Sequence, residues 1–368
     1  MYDLVRSTLF NIDAERAHRL ATAAARAAQM TRVNRLLEGT FEFDDIRLDQ
    51  SIWGIDFANP VGLAAGFDKN AALVPFWATL GFGYAEVGSV SAQPSRGNPR
   101  PRAFRLPTDE ALINRMGLNN KGAHKISRRL RRLKDRRRIP IGVNLAKTHD
   151  PGVMGDAAVE DFRASFELMA PHADYVALNI SCPNTREGKT FEEPDALASL
   201  LDAVMHQRED SAPEVPVLLK LSPPLSDRIV FDSAVEAAVE IGLDRGIEGF
   251  IASNTASDRE GLSADDEYLD AIGAGGLSGR PLEARSTHLV RYLYRLTGGA
   301  VPIIGVGGVF SAEDAYRKIC AGASLVQVYT GLVYRGPGLV RDIKRGLVDL
   351  LERDGFGSIE EAVGTERD

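Results

Sequence analysis

Eight short apolar runs recur along the chain, and each is followed by a stretch with helical periodicity. The runs are Val61–Ala65, Tyr84–Gly88, Ile141–Leu145, Tyr175–Ile180, Val217–Leu221, Gly249–Ser253, Ile303–Val306 and Leu325–Tyr329. Each reads as a buried strand. Amphipathic stretches fill the intervals: Ala71–Leu80, Lys121–Leu133, Val159–Met169, Asp195–Gln207, Ser226–Ile241, Glu283–Thr297, Ser311–Ala321 and Gly338–Arg353. A strand followed eight times by a helix predicts a closed parallel (β/α)8 TIM barrel, with a doubly wound open sheet as the structural rival.

Local chemistry marks several boundaries. Ser311 with Asp314 reads as a capping box, and Gly322 as the C-cap of the same helix. Residues 1–39 have no strand partner and read as two or three short helices, with Asp13 capping Ala14–Met30. This small N-terminal helical extension precedes a barrel domain of residues 40–368. Residues 48–60 resemble a short hairpin able to plug the bottom of the barrel. The stretch 90–118, punctuated by Pro94, Gly97, Pro99, Pro101 and Pro107, is too long for an ordinary connection. Long loops in compact domains are usually functional. The run from Arg128 to Arg138 falls at a helix C-terminus, where cations complement the helix dipole. It reads as a solvated face, with contact to anionic lipid as the alternative.

Composition narrows the class. The 368 residues are 44% apolar and 26% charged, ordinary values for a globular protein. A net charge of -7 gives no basic signature, so nucleic acid is not an expected partner. Two cysteines, Cys182 and Cys320, exclude a disulfide scaffold and fit a reducing compartment. No clustered ligands suggest a metal site, no signal peptide is evident, and no segment approaches a membrane span.

Active sites of such barrels form at the C-terminal strand ends. Those ends carry Ala65-Gly66-Phe67-Asp68-Lys69, Gly88-Ser89, Asn144 with Lys147, and Asn179-Ile180-Ser181-Cys182-Pro183-Asn184-Thr185. The later strands add Lys220, Ser253-Asn254-Thr255, Gly307-Gly308 and Tyr329-Thr330. Three lysines and several amides converge without an acidic cluster, which suits an anionic, planar, amide-rich ligand. Gly307 and Gly308 precede a helix N-terminus, and Gly276-Leu277-Ser278-Gly279 adds a second glycine-rich loop; both suit a phosphate. The segment 179–185 reads either as an asparagine-rich turn with a buried thiol or as a ligand grip around a reactive one.

Taken in order, the blocks Ala64–Lys69, Asn114–Gly117, Asn179–Thr185, Ser253–Thr255, Gly275–Pro281, Pro302–Val309 and Ala321–Gly331 resemble the dihydroorotate dehydrogenases over nearly the whole chain. The resemblance implies an FMN-containing barrel that oxidises (S)-dihydroorotate to orotate in pyrimidine biosynthesis. It implies FMN contacts from Ala65, Gly66, Phe67, Asp68, Lys69, Ser89, Asn144, Asn179, Lys220, Ser253, Gly279, Gly308, Tyr329 and Thr330. Orotate would be held by Lys69, Asn114, Arg115, Met116, Gly117, Leu118, Asn179, Asn184, Asn254 and Thr255, with Cys182 as the base that takes the C5 proton. Residues 1–39 are similar to the extension of the quinone-linked members, with His18 and Arg105 at the quinone head group. That implies a peripheral protein on the cytoplasmic face of the cell membrane. The soluble members, which use fumarate or NAD, are the alternative. One residue departs from the quinone-type pattern: Cys182 stands where those members are expected to carry serine, and cysteine marks the soluble types.

Overall fold

The computed structural model describes residues 2–31, 33–180, 191–224 and 233–366. The eight apolar runs form a closed parallel barrel. Its strands are β1 (Val61–Leu63), β2 (Tyr84–Val90), β3 (Ile141–Leu145), β4 (Tyr175–Asn179), β5 (Val217–Leu221), β6 (Gly249–Ala252), β7 (Ile303–Val306) and β8 (Leu325–Val328). Each pairs with the next in sequence, and β8 closes on β1 through Gln327 opposite Gly62. Sequential right-handed crossovers produce this order, because each strand needs a helix to return it to the same edge.

Thirteen α-helices stand among the described residues: α1 (Tyr2–Phe10), α2 (Ala14–Gln29), α3 (Val33–Phe41), α4 (Val74–Thr79), α5 (Ala123–Leu133), α6 (Asp156–Met169), α7 (Pro194–Ser211), α8 (Ser233–Asp244), α9 (Asp266–Ile272), α10 (Glu283–Leu296), α11 (Ala312–Cys320), α12 (Thr330–Arg335) and α13 (Leu339–Asp354). Asp13 caps α2 by accepting the Arg16 N–H at 2.9 Å, and Ser311 caps α11 by accepting that of Asp314 at 3.3 Å. The expected start of the fifth crossover helix, from Ser226, lies outside the described residues. Two short helices, α9 and α12, were not anticipated.

The floor of the barrel is closed from below. Residues Gln50–Ile52 and Ile55–Phe57 pair as an antiparallel hairpin. Ile52 and Phe57 pack into a cluster with Tyr84, Tyr175, Leu218, Ile251, Ile304 and Leu325, all inward-facing near the strand starts. Glycines at 62 and 142 admit the flat rings of Tyr84 and Tyr175, which occupy the space where a Cβ would stand.

The top differs from expectation in one respect. The segment 90–118 is not irregular throughout: Ala103–Leu106 and Ala111–Asn114 form a hairpin. Gly276–Gly279, from the connection after β6, adds a third antiparallel strand. Alternating apolar positions drive this, since Leu106, Ala111, Ile113 and Leu277 share a small core with Leu269 and Ile272 of α9. Loops separated by more than 160 residues are thereby joined across the barrel mouth, as in the bond from the Asn114 amide to the Gly276 carbonyl at 3.3 Å. The basic run divides: Arg128, Arg131 and Arg132 are exposed, whereas Arg129 bonds the Asn70 carbonyl, Arg137 the His172 carbonyl and Arg138 Glu38.

Candidate active site

A cavity of about 140 Å³ opens at the C-terminal ends of the strands. Ala65, Gly66, Lys69, Ser89, Asn114, Met116, Leu118, Asn179, Lys220, Ser253, Asn254, Thr255, Gly279, Gly308, Tyr329 and Thr330 line it. Strand geometry explains the convergence. Inward positions alternate along each strand, so Asn179, Lys220 and Ser253 are carried to the same rim by β4, β5 and the end of β6.

The polar groups are ordered by one another. Ser89 Oγ donates to Asn144 Oδ1 at 2.5 Å, and Asn179 Nδ2 donates to Ser89 Oγ at 3.2 Å. Asn254 Nδ2 reaches Asn179 Oδ1 at 2.9 Å, and the Thr255 N–H reaches Asn254 Oδ1 at 2.9 Å. Below them lies Glu86, fully buried, which sequence reading missed. Its Oε1 accepts from Asn144 Nδ2 at 3.0 Å and Lys220 Nζ at 3.4 Å. Its Oε2 accepts from Gln327 Nε2 at 2.9 Å and the Tyr175 hydroxyl at 3.2 Å. An acid inside an otherwise apolar strand, two residues from Tyr84 and Gly88, is the signal that would have found it.

The glycine end is shaped for an anion. Gly307 and Gly308 have φ of +119° and +71°, a left-handed turn that presents backbone N–H groups ahead of α11. Thr330 Oγ1 lies 2.9 Å from Ser278 Oγ beside them. Gln327 lines the floor, and its Oε1 is a buried acceptor with no hydrogen-bond partner among the described residues. A planar group with ring N–H donors, carbonyl acceptors and a phosphate fits this set of an orphaned acceptor, an ammonium, amides and glycine N–H groups. Among the described residues no cluster suits a metal ion.

A second cavity, about 800 Å³, lies between the N-terminal helices and the barrel top. Leu9, Phe10, Ala14, Ala17, His18, Ala21 and Ala25 form one wall, and Phe67, Trp77 and Leu332 the other. His18 and Arg105 both line it, so the two residues assigned to one head group do meet in one space. His18 stands edge-on to Phe67 at 4.9 Å, and Phe67 contacts Tyr329 at 5.2 Å. Burial, then the Lys69 charge, lowers the His18 pKa to about 4. Arg105 Nη1 donates to the Ile12 carbonyl at 2.8 Å and its guanidinium covers the Phe10 ring. Burial pushes the Tyr329 hydroxyl up to about 12, so it stays protonated. The two cavities share Gly66, Lys69, Asn114, Met116, Ser278 and Tyr329.

The remaining expected site residues lie elsewhere. Phe67 and Asp68 border the helical cavity, and the Asp68 carboxylate is occupied by the N–H groups of Ala72 at 2.7 Å and Leu73 at 2.8 Å. Asn144 is buried behind Ser89. Arg115 turns away, bonding the carbonyls of Ile272 at 2.5 Å and Pro101 at 3.2 Å. Gly117 has φ +68°, and a Cβ there would meet the Asn98 backbone N at 2.6 Å, so it serves the turn. Lys147, the third lysine expected at the rim, donates to the Val153 carbonyl at 3.0 Å. Cys182 and Asn184 lie outside the described residues.

Fold and site define a (β/α)8-barrel enzyme with a polar cavity at the carboxyl ends of the strands and a second chamber beside it. The family model "Dihydroorotate dehydrogenase" matches residues 47–351. A protein of Roseiflexus sp. named "Dihydroorotate dehydrogenase (quinone)" is 48% identical over 99% of this chain and 98% of its own length. One of the same name from Nocardia farcinica is 45% identical over 100% of this chain and 97% of its own. The crystal structure of ligand-free DHODH from Eimeria tenella has 34% identity and a TM-score of 0.85, covering 97% of this chain and 100% of that one. The chain belongs to the dihydroorotate dehydrogenase family, a flavin-dependent family of oxidoreductases.

Proposed function

We propose that the chain oxidises (S)-dihydroorotate to orotate with bound FMN and delivers the electrons to a membrane quinone, in de novo pyrimidine (UMP) biosynthesis. The observation that carries this reading is the junction of the two cavities. A polar chamber in the barrel mouth and an apolar chamber under the helices share the walls at Lys69 and Tyr329. Two half-reactions with ligands of opposite polarity need such a pair of chambers.

The residues divide the work. Lys69 neutralises the substrate carboxylate, while Asn114, Asn179, Asn254 and Thr255 read the ring carbonyl and N–H groups. Gly279, Gly308, Tyr329 and Thr330 hold the FMN phosphate, and Lys220 places positive charge at the pyrimidine end of the ring. Bound FMN supplies the acceptor for the hydride that leaves C6. Cys182 takes the C5 proton, in accord with its sequence position beside Asn179 and Asn184. His18, neutral at physiological pH, offers a hydrogen bond to the quinone head, and Arg105 offers charge.

Residues 1–39 form the quinone-tunnel segment and rest on the cytoplasmic face of the cell membrane. Val5, Ile12, Leu20 and Met30 are all exposed there. No helix among the described residues is long and apolar enough to cross a membrane, so attachment is peripheral in this reading. Cys182 favours a second reading, a soluble-type enzyme using fumarate or NAD. Stopped-flow reduction by dihydroorotate, followed by reoxidation with ubiquinone and menaquinone analogues, fumarate and NAD, separates the two. Reoxidation by fumarate alone would overturn the quinone assignment.

A further inference from the structure

Glu86 touches neither cavity, yet every hydrogen bond linking the substrate-side amides points toward it. Four donors converge on its two oxygens: Asn144 Nδ2, Lys220 Nζ, Gln327 Nε2 and the Tyr175 hydroxyl. A carboxylate in that position can only accept. Burial, then the Glu86 charge, drives the Tyr175 hydroxyl well above its ordinary pKa, which keeps it a donor.

That one restriction propagates. Asn144 must turn its NH2 toward Glu86 (3.0 Å), which leaves Oδ1 to receive the Ser89 hydroxyl. Ser89 has a single proton, now spent, so it must accept from Asn179 Nδ2 at 3.2 Å. Asn179 then turns Oδ1 toward Asn254, whose NH2 reaches it at 2.9 Å. Asn254 in turn offers Oδ1 to the Thr255 N–H. An amide side chain is nearly symmetric in shape, and sterics alone would not choose between its two ends. The electrostatic choice is made at Glu86 and carried to the rim through Asn144 and Ser89.

We propose that Glu86 is a positioning residue for substrate binding: as the terminal acceptor of the chain Asn254–Asn179–Ser89–Asn144, it fixes which ends of the cavity amides face the ligand. This rests on the reading that orotate occupies the barrel-mouth cavity. Orotate has a fixed order of carbonyl and N–H groups, so an amide presented the wrong way leaves a desolvated group unpaired. Such a mismatch weakens binding by about tenfold or more.

The test is calorimetric titration of orotate into oxidised holoprotein, with Glu86→Gln and Glu86→Asp compared with wild type. Gln matches Glu in shape but brings its own NH2 into the chain, whereas Asp is shorter but still only accepts. Positioning predicts a loss of about tenfold or more in Glu86→Gln and a loss within about threefold in Glu86→Asp. The reverse ranking, with Gln equal to wild type and Asp worse, shows that Glu86 only fills space and overturns the proposal. If Glu86→Gln does not fold, Asn144→Leu cuts the chain one link higher and keeps the Glu86–Lys220 pair. Wild-type orotate affinity in the flavin-replete fraction of that variant would also overturn it. Wild-type protein that gives no heat with orotate sinks the proposed function itself, whereas a wrong variant ranking sinks only the role of Glu86.

Discussion

Lowering the pH should weaken the docking of α2 through one residue, His18. Burial of the imidazole and the nearby Lys69 charge both oppose a proton there, and together they outweigh the Glu15 charge and the Phe67 backbone, which favour one. Its pKa falls from 6.5 to about 4. Between these values the unfolded chain binds a proton that the folded chain refuses, so stability falls as pH falls. The contribution is complete above about pH 6.5 and is lost as pH drops through about 4. A fall from 6.5 to about 4 corresponds to ~3 kcal/mol, a ceiling for a side chain that is not fully buried. At ~2.1 cal/mol/K per residue, a chain of 368 residues unfolds with ~0.8 kcal/mol/K, so that ceiling is ~4 °C in Tm. The assay compares thermal melts of wild type and His18→Gln from pH 7.5 to 4.5, where other titrating groups cancel in the difference. The wild-type Tm should drop further than the variant's, with most of the divergence below pH 6. Proton NMR of the histidine C2 signals, assigned by their loss in His18→Gln, reads the pKa directly. Parallel melting trends together with a His18 pKa at or above about 6 would refute the reasoning.

Other substitutions probe separate parts of the molecule. Glu15→Gln should lower stability by ~3 kcal/mol in thermal melts, because it leaves the buried Arg102 guanidinium without the carboxylate it meets at 3.0 Å. Burial alone would raise the Glu15 pKa, but Arg102 and Arg100 outweigh it and hold the group below its ordinary value, so this contribution disappears on acidification below about pH 4.5. Leu20→Glu with Met30→Glu alters two exposed side chains; co-sedimentation with anionic vesicles should fall at least about tenfold while dihydroorotate still bleaches the flavin. Unchanged vesicle binding would remove the membrane role of this face. Cys182→Ser should slow flavin reduction and move its pH dependence upward, since a free thiol has a pKa near ~8.5 and a hydroxyl lies far above. Wild-type rates at every pH would exclude Cys182 as the base.

Much of the barrel was legible because parallel strands are buried on both faces and read as unbroken apolar runs. All eight barrel strands overlap predicted runs, as with Ile141–Leu145 and Val217–Leu221. The hairpin across 103–114 was hidden by Pro107 at its turn and by Arg105 and Asn114 among the apolar positions. The short helix α9 was hidden for a similar reason, since its start is a run of acids that looks like a solvated loop until Asp265 accepts the Tyr268 N–H at 3.1 Å. The rim residues were legible as amides and lysines at strand ends. Glu86 was not, because its hydrogen bonds come from four partners on four other strands. Lys147 was over-read for the converse reason: sequence places it at a strand end but does not fix its direction.

The shared wall between the two chambers bears on how this protein could escape an inhibitor. A compound seated beneath the helices would touch Gly66, Lys69 and Tyr329, which also border the barrel-mouth cavity. Under the proposed function, substitutions there would harm the enzyme along with the drug. Resistance should therefore arise on the wall that α1 and α2 supply, at positions such as Leu9, Ala14 and Ala21, which border only the helical chamber. A compound whose contacts lean toward Tyr329 and away from those helices would leave the fewest routes of escape.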